Sequence, residues 1–339
     1  MNLEMKHLLT AALRFIIGFV GMIFLGISIV LHRIDLNIAS NIAPFILLIS
    51  MVMLYIFVTY KMIEPKSKLK SIIFSITIVL AASWICFAAA LFFLQDAIIY
   101  QRKIISNERL ESIKSQYENV EEINILSGEA ELHGWYIKNN DMIDKSPLII
   151  YFGGGAEEIS KRIENFIKIK GWSTVLINYR GYGLSYGNPS EKNIFKDTLN
   201  IYDYFSLSSE IDRDRIVVMG RSLGTGAAVY LSDNRDVYKT ILVSPYDSMT
   251  NWLQQMVPFV PANLVMKSPF DSLSRASSIR SQVLCIVGDK DKSVLPSQSE
   301  RLISRWDGKY SLHTIKGEVH DTILYSEECW DAIRMFLEQ

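Results

Sequence analysis

The sequence predicts an α/β protein: a mainly parallel sheet with helices on both faces, preceded by a membrane-spanning region. After residue 120, short apolar runs alternate with helical patterns, which is typical of βαβ units. Several of these runs are continuously apolar, as expected for strands covered on both faces. The first hundred residues instead hold three much longer apolar runs, and these predict the membrane region.

The three long apolar runs lie at about residues 13–31, 42–60 and 72–94. Each approaches the roughly 20 residues that a helix needs to cross a bilayer. A signal peptide would explain only one of them, and buried helices of a globular domain are rarely so long and so uniformly apolar. We therefore expect a multi-pass integral membrane protein whose transmembrane region covers residues 1–95.

Basic residues between the apolar runs predict the orientation of this region. Lysines crowd the second loop, whereas the first loop has only Arg33. Because loops rich in Lys and Arg stay in the cytoplasm, the amino terminus and the second loop are expected there. Three spans then place the rest of the chain on the extracytoplasmic side. Three basic residues after the third span favour the opposite orientation.

Charge and cysteine content narrow the function classes. The formal net charge of −1 indicates no nucleic-acid partner. Cys86, Cys285 and Cys329 show neither metal-ligand spacing with a histidine nor a disulfide framework, so separate free thiols are expected. No metal or organic cofactor is implied, and no pattern indicates an oligomeric state.

A polar connector at 96–120 leads to the predicted catalytic domain at 121–339. Two strands joined by a Ser-Gly-Glu turn suit an antiparallel sheet edge, and strands and helices alternate after them. Strands are predicted at 123–125, 132–137, 148–152, 174–178, 216–219, 240–243, 283–287 and 312–315, and helices at about 157–170, 194–205 and 322–337.

Ser222 is the residue around which this domain is organised. It lies in Gly220-Arg221-Ser222-Leu223-Gly224, between an apolar strand pattern and a run of small residues. A sharp strand-to-helix turn of the Gly-x-Ser-x-Gly type exposes a serine hydroxyl beside a base, and small residues on either side permit the turn. The pattern predicts that Ser222 is a nucleophile; the alternative is a chance match in a loop.

The base and the acid are expected in later loops, because ligands bind beyond the carboxyl ends of parallel strands. His320 alone of the five histidines lies in a loop after the last predicted strand, so it is the candidate base. Asp291 is favoured as the acid because it lies deep in the loop after the preceding strand. Asp289 is expected to cap that loop through backbone N–H groups, and Asp247 is a third candidate.

An acyl-transfer site also needs donors for the oxyanion. The backbone N–H of Leu223, directly after the nucleophile, is one candidate. The glycine run after the strand that ends at Phe152 offers a close backbone approach, and Gly155 is the favoured second donor. The alternative for this run is a plain flexible turn.

The segment 245–276 interrupts the alternation of strands and helices. It is rich in apolar residues and proline, and it predicts a short lid with Trp252, Met256 and Phe259 as candidate lid or pocket residues. An ordinary long connection with its own small hydrophobic cluster is an equal alternative.

Five motifs carry a resemblance to a known family: Phe152-Gly153-Gly154-Gly155-Ala156, Asn178-Tyr179-Arg180-Gly181-Tyr182-Gly183-Leu184-Ser185, Gly220-Arg221-Ser222-Leu223-Gly224, Ser268-Pro269-Phe270-Asp271-Ser272 and Gly288-Asp289-Lys290-Asp291. Over about residues 95–339 the chain resembles the membrane-anchored serine hydrolases of the α/β-hydrolase fold that are related to monoacylglycerol and lysophospholipid lipases and to acyl-protein thioesterases. The resemblance implies a triad and an oxyanion hole, made respectively by Ser222, Asp291 and His320 and by the backbone of Gly155 and Leu223.

The chain departs from that family in two places. It has Gly153-Gly154-Gly155 where the family usually has His-Gly-Asn. The support that this histidine gives the loop is therefore expected to be missing, while a backbone donor survives. Three predicted spans replace the single anchor of many relatives.

The expected function is a membrane-anchored serine hydrolase that cleaves carboxylic acyl esters through an acyl-enzyme. The predicted membrane location and the resemblance suggest lipid esters such as lysophospholipids or monoacylglycerols. Thioester or peptide hydrolysis by the same fold is one alternative, and an inactive membrane scaffold is another. The expected partners are a small-molecule or lipid ester and the membrane.

Overall fold

The computed structural model describes residues 68–139 and 144–339. The predicted spans at 13–31 and 42–60 lie outside these residues. The third, at 72–94, falls within helix α1, Lys68–Ile99. Among the described residues, no helix combines the length and the apolar character that a membrane crossing requires.

The chain divides into two compact units. The described part of the first unit consists of helix α1 up to Ile98 and the segment Phe259–Val265. Within it, the indole Nε1 of Trp84 donates a hydrogen bond to the carbonyl oxygen of Phe259 at 2.8 Å. The ring of Phe87 lies 5.5 Å from that of Phe259. The segment therefore packs through Phe259 on two aromatic residues of the helix, Trp84 and Phe87.

The second unit covers Ile99–Pro258 and Met266–Gln339 and is built on an eight-stranded sheet. The strands are β1 (Val120–Ser127), β2 (Ala130–Ile137), β3 (Ser146–Phe152), β4 (Ser173–Ile177), β5 (Ile211–Arg221), β6 (Lys239–Val243), β7 (Gln282–Gly288) and β8 (Tyr310–Ile315).

The strand order is β1-β2-β4-β3-β5-β6-β7-β8. β2 pairs antiparallel with both β1 and β4, and every other neighbouring pair is parallel. The prediction of a mainly parallel sheet with an antiparallel edge is confirmed. Strand β5, which ends directly before Ser222, is central, so the serine is presented in the middle of the sheet's carboxyl edge.

Helices cover both faces of this sheet. They are α2 (Asn107–Gln116), α3 (Ile163–Phe166), α4 (Glu191–Ser206), α5 (Leu223–Asn234), α6 (Met249–Met256), α8 (Leu273–Ala276), α9 (Pro296–Ile303) and α10 (Glu327–Glu338), with 3₁₀ turns at Ile159–Arg162 and Ile323–Tyr325; the first unit adds α7 (Ala262–Val265).

Two predicted helices are shorter than expected. The helix predicted at 157–170 is a 3₁₀ turn followed by the four-residue helix α3. The side chain of Glu158 caps that turn by accepting from the backbone N–H of Ser160, which delays the helical start. The helix predicted at 322–337 begins only at Glu327, because Ser326 is extended.

The core lies in two layers, one on each side of the sheet. Along β3, Leu148, Ile150 and Phe152 belong to one buried cluster, whereas Ile149 and Tyr151 belong to the other. This alternation follows from the two-residue period of a strand, whose successive side chains point to opposite faces. A continuously apolar strand is therefore packed on both faces, and this packing fixes the position of the loop at its carboxyl end.

Candidate active site

Ser222 occupies a strained turn between β5 and α5. Its backbone angles are φ 51° and ψ −118°, and a residue with a Cβ rarely adopts a positive φ. Such a conformation costs about 1–3 kcal/mol, and it persists only where the surrounding structure enforces it. The backbone N–H of Ser222 donates to the carbonyl oxygen of Val243 at 2.9 Å. The turn is thereby tied to the neighbouring strand.

The glycines on either side of Ser222 are required by close backbone contacts. A Cβ at Gly220 would overlap the carbonyl group of Gly224, and a Cβ at Gly224 would overlap the carbonyl group of Phe152. Neither obstacle is a flexible side chain that could move away. The two glycines therefore let the turn close on itself and on the end of β3.

The structure brings Ser222, His320 and Asp291 together. His320 Nε2 lies 2.8 Å from Ser222 Oγ, and His320 Nδ1 lies 2.8 Å from Asp291 Oδ2. A carboxylate can only accept, so Nδ1 carries a hydrogen and Nε2 of a neutral imidazole is left to accept from the serine hydroxyl. Side chains from loops after β5, β7 and β8 thus form one hydrogen-bonded chain, in the arrangement that activates a serine for attack.

Asp291 is held rigidly in its loop. Its other oxygen, Oδ1, accepts from the backbone N–H groups of Ser293 at 2.9 Å and Val294 at 2.8 Å. The side chain is almost fully buried. Since three donors surround this carboxylate, its orientation towards His320 is set before any substrate arrives.

The two competing aspartates have other partners. Asp289 Oδ1 accepts from the backbone N–H of Gly317 at 2.6 Å, so it joins the acid loop to the histidine loop. Asp247 is buried and forms an ion pair with Arg301 Nη1 at 2.7 Å. Asp289 therefore binds a backbone N–H of the histidine loop, whereas it was expected to cap its own loop, and neither aspartate occupies the position beside the imidazole.

Gly155 and Leu223 lie next to each other at the nucleophile. A Cβ built on Gly155 would be 3.6 Å from Leu223 Cδ2. Leu223 is the first residue of α5, so its N–H has no acceptor within the helix. The Gly154 carbonyl accepts a hydrogen bond from the Glu157 N–H at 3.2 Å. Because the C=O and N–H of a trans peptide point in opposite directions, the Gly155 N–H points away from Glu157. The local backbone therefore sets the direction of both N–H groups.

The glycine loop is supported by residues that the sequence reasoning missed. Tyr179 Oη donates to the Gly153 carbonyl at 2.8 Å, and Tyr182 Oη donates to the Gly155 carbonyl at 2.7 Å. Burial raises the pKa of both tyrosines, so their phenols remain protonated donors. The Tyr-Arg-Gly-Tyr-Gly motif therefore has a structural explanation. Its two tyrosines clamp two carbonyl groups of the loop.

A third support comes from Glu157, which directly follows the loop. Its Oε2 accepts from the Gly154 N–H at 2.8 Å, and its Oε1 pairs with Arg162 in the interior. Burial alone would raise the pKa of Glu157, but the charges of Arg162 and Arg221, together with the Gly154 N–H, hold it below its usual value. The sequence predicted a loop without the support of a histidine, and in the structure an ionised carboxylate supports it.

The three candidate lid residues have different surroundings. Trp252 lies in α6, and its Nε1 donates to the carbonyl of Ser293, next to the acid loop, at 2.9 Å. Met256 is half-buried at the end of the same helix. Phe259 belongs to the first unit, where it contacts Trp84 and Phe87. A lid function for this segment stays a prediction.

The chain is similar to known hydrolases in sequence and in structure. A family model described as the prolyl oligopeptidase family matches residues 166–329. An α/β-hydrolase domain-containing protein of Arabidopsis thaliana, WAV2, is 30% identical over 51% of this chain and 62% of its own. An esterase of Pyrococcus furiosus superposes with a TM-score of 0.56 at 17% identity, over 71% of this chain and 97% of the esterase. Together with the sheet and the strand-to-helix turn at Ser222, these findings show that the chain has the α/β-hydrolase fold.

Two further relatives are similar to the chain over most of their own length. An uncharacterized protein of Mycobacterium tuberculosis is 30% identical over 212 residues, which is 61% of this chain and 75% of that protein. An uncharacterized membrane protein of Saccharomyces cerevisiae is 27% identical over 63% of this chain and 77% of its own. The chain belongs to the same family as the mycobacterial protein.

Proposed function

We propose that the protein is a serine hydrolase that cleaves carboxylic acyl esters, with Ser222 as nucleophile, His320 as base and Asp291 as the acid of the triad. The observation that carries the proposal is the continuous chain of two 2.8 Å contacts from Ser222 Oγ through the imidazole to Asp291. The esterase fold of the structural neighbour supports the same class of reaction.

The geometry supports a two-step acyl transfer. His320 Nε2 takes the proton of Ser222 Oγ as the oxygen attacks the carbonyl carbon, and Asp291 stabilises the imidazolium that forms. The N–H groups of Gly155 and Leu223 donate to the oxyanion. His320 then returns the proton to the leaving alcohol. A water, deprotonated by the same imidazole, attacks the acyl-enzyme; the second oxyanion intermediate then collapses, the acid is released, and the imidazolium returns its proton to Ser222 Oγ.

The test is covalent labelling combined with turnover. The full chain in detergent is expected to react with a fluorophosphonate and to hydrolyse p-nitrophenyl esters, and both activities should be lost in Ser222→Ala. Ser244→Ala is the matched control, because Ser244 also has a positive φ of 51° and follows the adjacent strand without contacting the imidazole. Full ester turnover by Ser222→Ala would overturn the assignment. An unreactive wild-type chain would instead favour the inactive scaffold.

Peptide hydrolysis is the second candidate, and the match to the prolyl oligopeptidase family model favours it. The same triad cleaves amides when the leaving nitrogen can be protonated. An ester and an amide that share one acyl group separate the two candidates. Esters are intrinsically more reactive than amides, so measurable turnover of the amide that is lost in Ser222→Ala would identify a peptidase.

We further propose that the N-terminal region holds the hydrolase at a membrane and that the substrate is a lipid ester. The support is the set of three long apolar runs before residue 95. The similarity to the yeast protein described as a membrane protein adds to it. Carbonate extraction of expressing cells tests attachment, and reporter fusions at the carboxyl terminus test the predicted extracytoplasmic side. Release of the full chain by carbonate would contradict membrane attachment.

The substrate class is tested separately, by measuring hydrolysis of lysophospholipid and monoacylglycerol in mixed micelles.

A further inference from the structure

The carbonyl oxygen of Gly155 accepts two hydrogen bonds from different parts of the chain. One comes from Tyr182 Oη at 2.7 Å. The other comes from the backbone N–H of Gln101 at 2.9 Å. Gln101 lies just two residues after the end of helix α1, more than fifty residues before the loop that it contacts. The segment that follows the N-terminal helix therefore touches the candidate oxyanion loop directly.

The contact is close enough to explain why residue 155 is glycine. A Cβ at Gly155 would overlap the backbone carbonyl of Ile99. This obstacle is main chain, so it could be relieved only by moving the segment away. Any side chain at position 155 would separate the loop from residues 99–101.

The segment 99–103 is itself firmly held in the second unit. Ile99 and Tyr100 are buried in the larger core cluster. Tyr100 Oη donates to Ser268 Oγ at 3.1 Å, and the backbone N–H of Gly183 donates to the Lys103 carbonyl at 2.8 Å. The last contact joins the segment to the same motif that supplies Tyr182. A backbone donor fixed in this way can position its acceptor.

We propose that residues 99–103 form a positioning strap for the oxyanion loop, with the Gln101 N–H as the group that acts. The proposal rests on the proposed hydrolase function. The Gln101 and Tyr182 bonds fix the peptide plane that follows Gly155, while the Glu157 N–H fixes the plane that precedes it. With both planes set, the Gly155 N–H keeps one direction towards the oxyanion. The residues that follow helix α1 thus position the oxyanion loop.

Proline at position 101 removes the N–H and is compatible with the local backbone. The Arg102 N–H donates to the Tyr100 carbonyl at 2.9 Å, which makes Gln101 the middle residue of a γ-turn. Its φ is not positive, so the turn is of the inverse type with φ of about −75°, within the range of proline. Gln101→Ala is the matched control, because it removes the side chain and keeps the donor.

The experiment compares both variants of the full chain in detergent. Gln101→Pro is expected to lower kcat by about 10-fold or more with KM changed by less than about 2-fold, because oxyanion contacts form mainly in the transition state. Gln101→Ala should match the wild type. Tyr182→Phe removes the other donor, and its effect should combine with that of Gln101→Pro less than additively in free energy, since both act on one carbonyl. A wild-type kcat in Gln101→Pro, or an equal loss in Gln101→Ala, would overturn the proposal.

A second readout does not depend on ester turnover. Hydrogen exchange of a peptide covering 153–157 should accelerate in Gln101→Pro and stay unchanged in Gln101→Ala, at equal melting temperature. If the hydrogen exchange of this peptide is unchanged in Gln101→Pro, the proposed function of residues 99–103 is wrong even if the wild type hydrolyses esters. Faster exchange with an inactive wild type would keep the strap as a structural support and refute only the hydrolase function.

Discussion

The guanidinium of Arg221 donates from Nη2 to the carbonyl oxygen of His320 over 2.9 Å. It also lies against the glycine loop, since a Cβ at Gly154 would be 2.5 Å from Arg221 Nη1. One buried side chain, directly before the nucleophile along the chain, therefore contacts both the histidine loop and the glycine loop. The distance between the candidate base and the candidate oxyanion donors depends on this side chain.

Arg221→Met should lower kcat/KM by about 10- to 100-fold, because it frees the histidine loop, and a misplacement of about 1 Å in a reacting group has an effect of that order. Arg221→Lys should recover part of the loss, since an ammonium can still reach the His320 carbonyl. Steady-state kinetics on one ester measure both variants. Asp321→Asn is the control: it alters only an exposed ion pair with Arg221, and activity should stay within about twofold. Wild-type activity in Arg221→Met would contradict this function of the guanidinium.

Asp291→Asn should lower kcat by about 10⁴-fold, because an amide that donates to Nδ1 leaves the imidazole in the wrong tautomer. Asp289→Asn is the matched control in the same loop. Its amide oxygen can still accept from the Gly317 N–H, so kcat should change by less than about threefold. Single-ester kinetics with active-site titration distinguish a true loss of rate from a loss of folded enzyme. Equal effects of the two substitutions would exclude Asp291 as the acid of the triad.

Gly224→Ala should destabilise the second unit by about 3 kcal/mol or more, because its Cβ meets backbone atoms at the end of β3, which cannot move independently. Gly171→Ala provides the comparison. It has a φ of +76° with no atom within 4 Å of a built Cβ, so only backbone strain of about 1–2 kcal/mol applies. Thermal unfolding of both variants measures the difference. If packing at the turn around Ser222 were loose, Gly171→Ala would be the more destabilising of the two substitutions.

The stability of the protein should fall in acid partly through Glu157. Its pKa in the folded chain is lowered from 4.5, so its stabilising effect is complete above that unfolded value and is lost as the pH falls through the folded value. Glu157→Gln should therefore be less stable than the wild type at pH 7. The gap should narrow as the pH falls below 4.5, because the Glu157 carboxyl is protonated there in the unfolded chain and becomes neutral in the folded chain only at a lower pH. Melting temperatures between pH 3 and pH 7 test this, and a constant gap would show that the charge is irrelevant.

Much of the architecture could be predicted from local patterns. Continuous apolar runs such as 148–152 indicate strands covered on both faces, and these strands form the parallel part of the sheet. The Ser-Gly-Glu turn predicted the hairpin β1–β2. The prediction from periodicity was least accurate at 157–170, because the burial of Glu157 and the cap made by Glu158 prevent a long helix there. The expectations for 13–31 and 42–60 lie outside the described residues and stay predictions.

The sequence predicted the candidate triad residues of the site, but it did not predict the side chains that hold them and the glycine loop in place. Ser222, Asp291 and His320 were singled out by chain order and by their places after strands, and the structure brings them into contact. Their catalytic assignment stays a proposal that kinetics must test. The clamps from Tyr179, Tyr182 and Glu157 were not foreseen, because a tyrosine in a loop motif carries no local sign of which carbonyl it will meet.

The sequence by itself determined the order of the motifs along the chain, the small residues around Ser222 and the choice of side chains that can attack, accept and hold a proton. These are local properties, since they depend on residue type and on spacing along a few residues. Only the tertiary structure decided that Gln101, Tyr182 and Glu157 hold one loop and that Arg221 holds another. Such contacts join positions far apart in the chain, and their partners are mostly backbone groups, which every residue carries and no sequence pattern can distinguish.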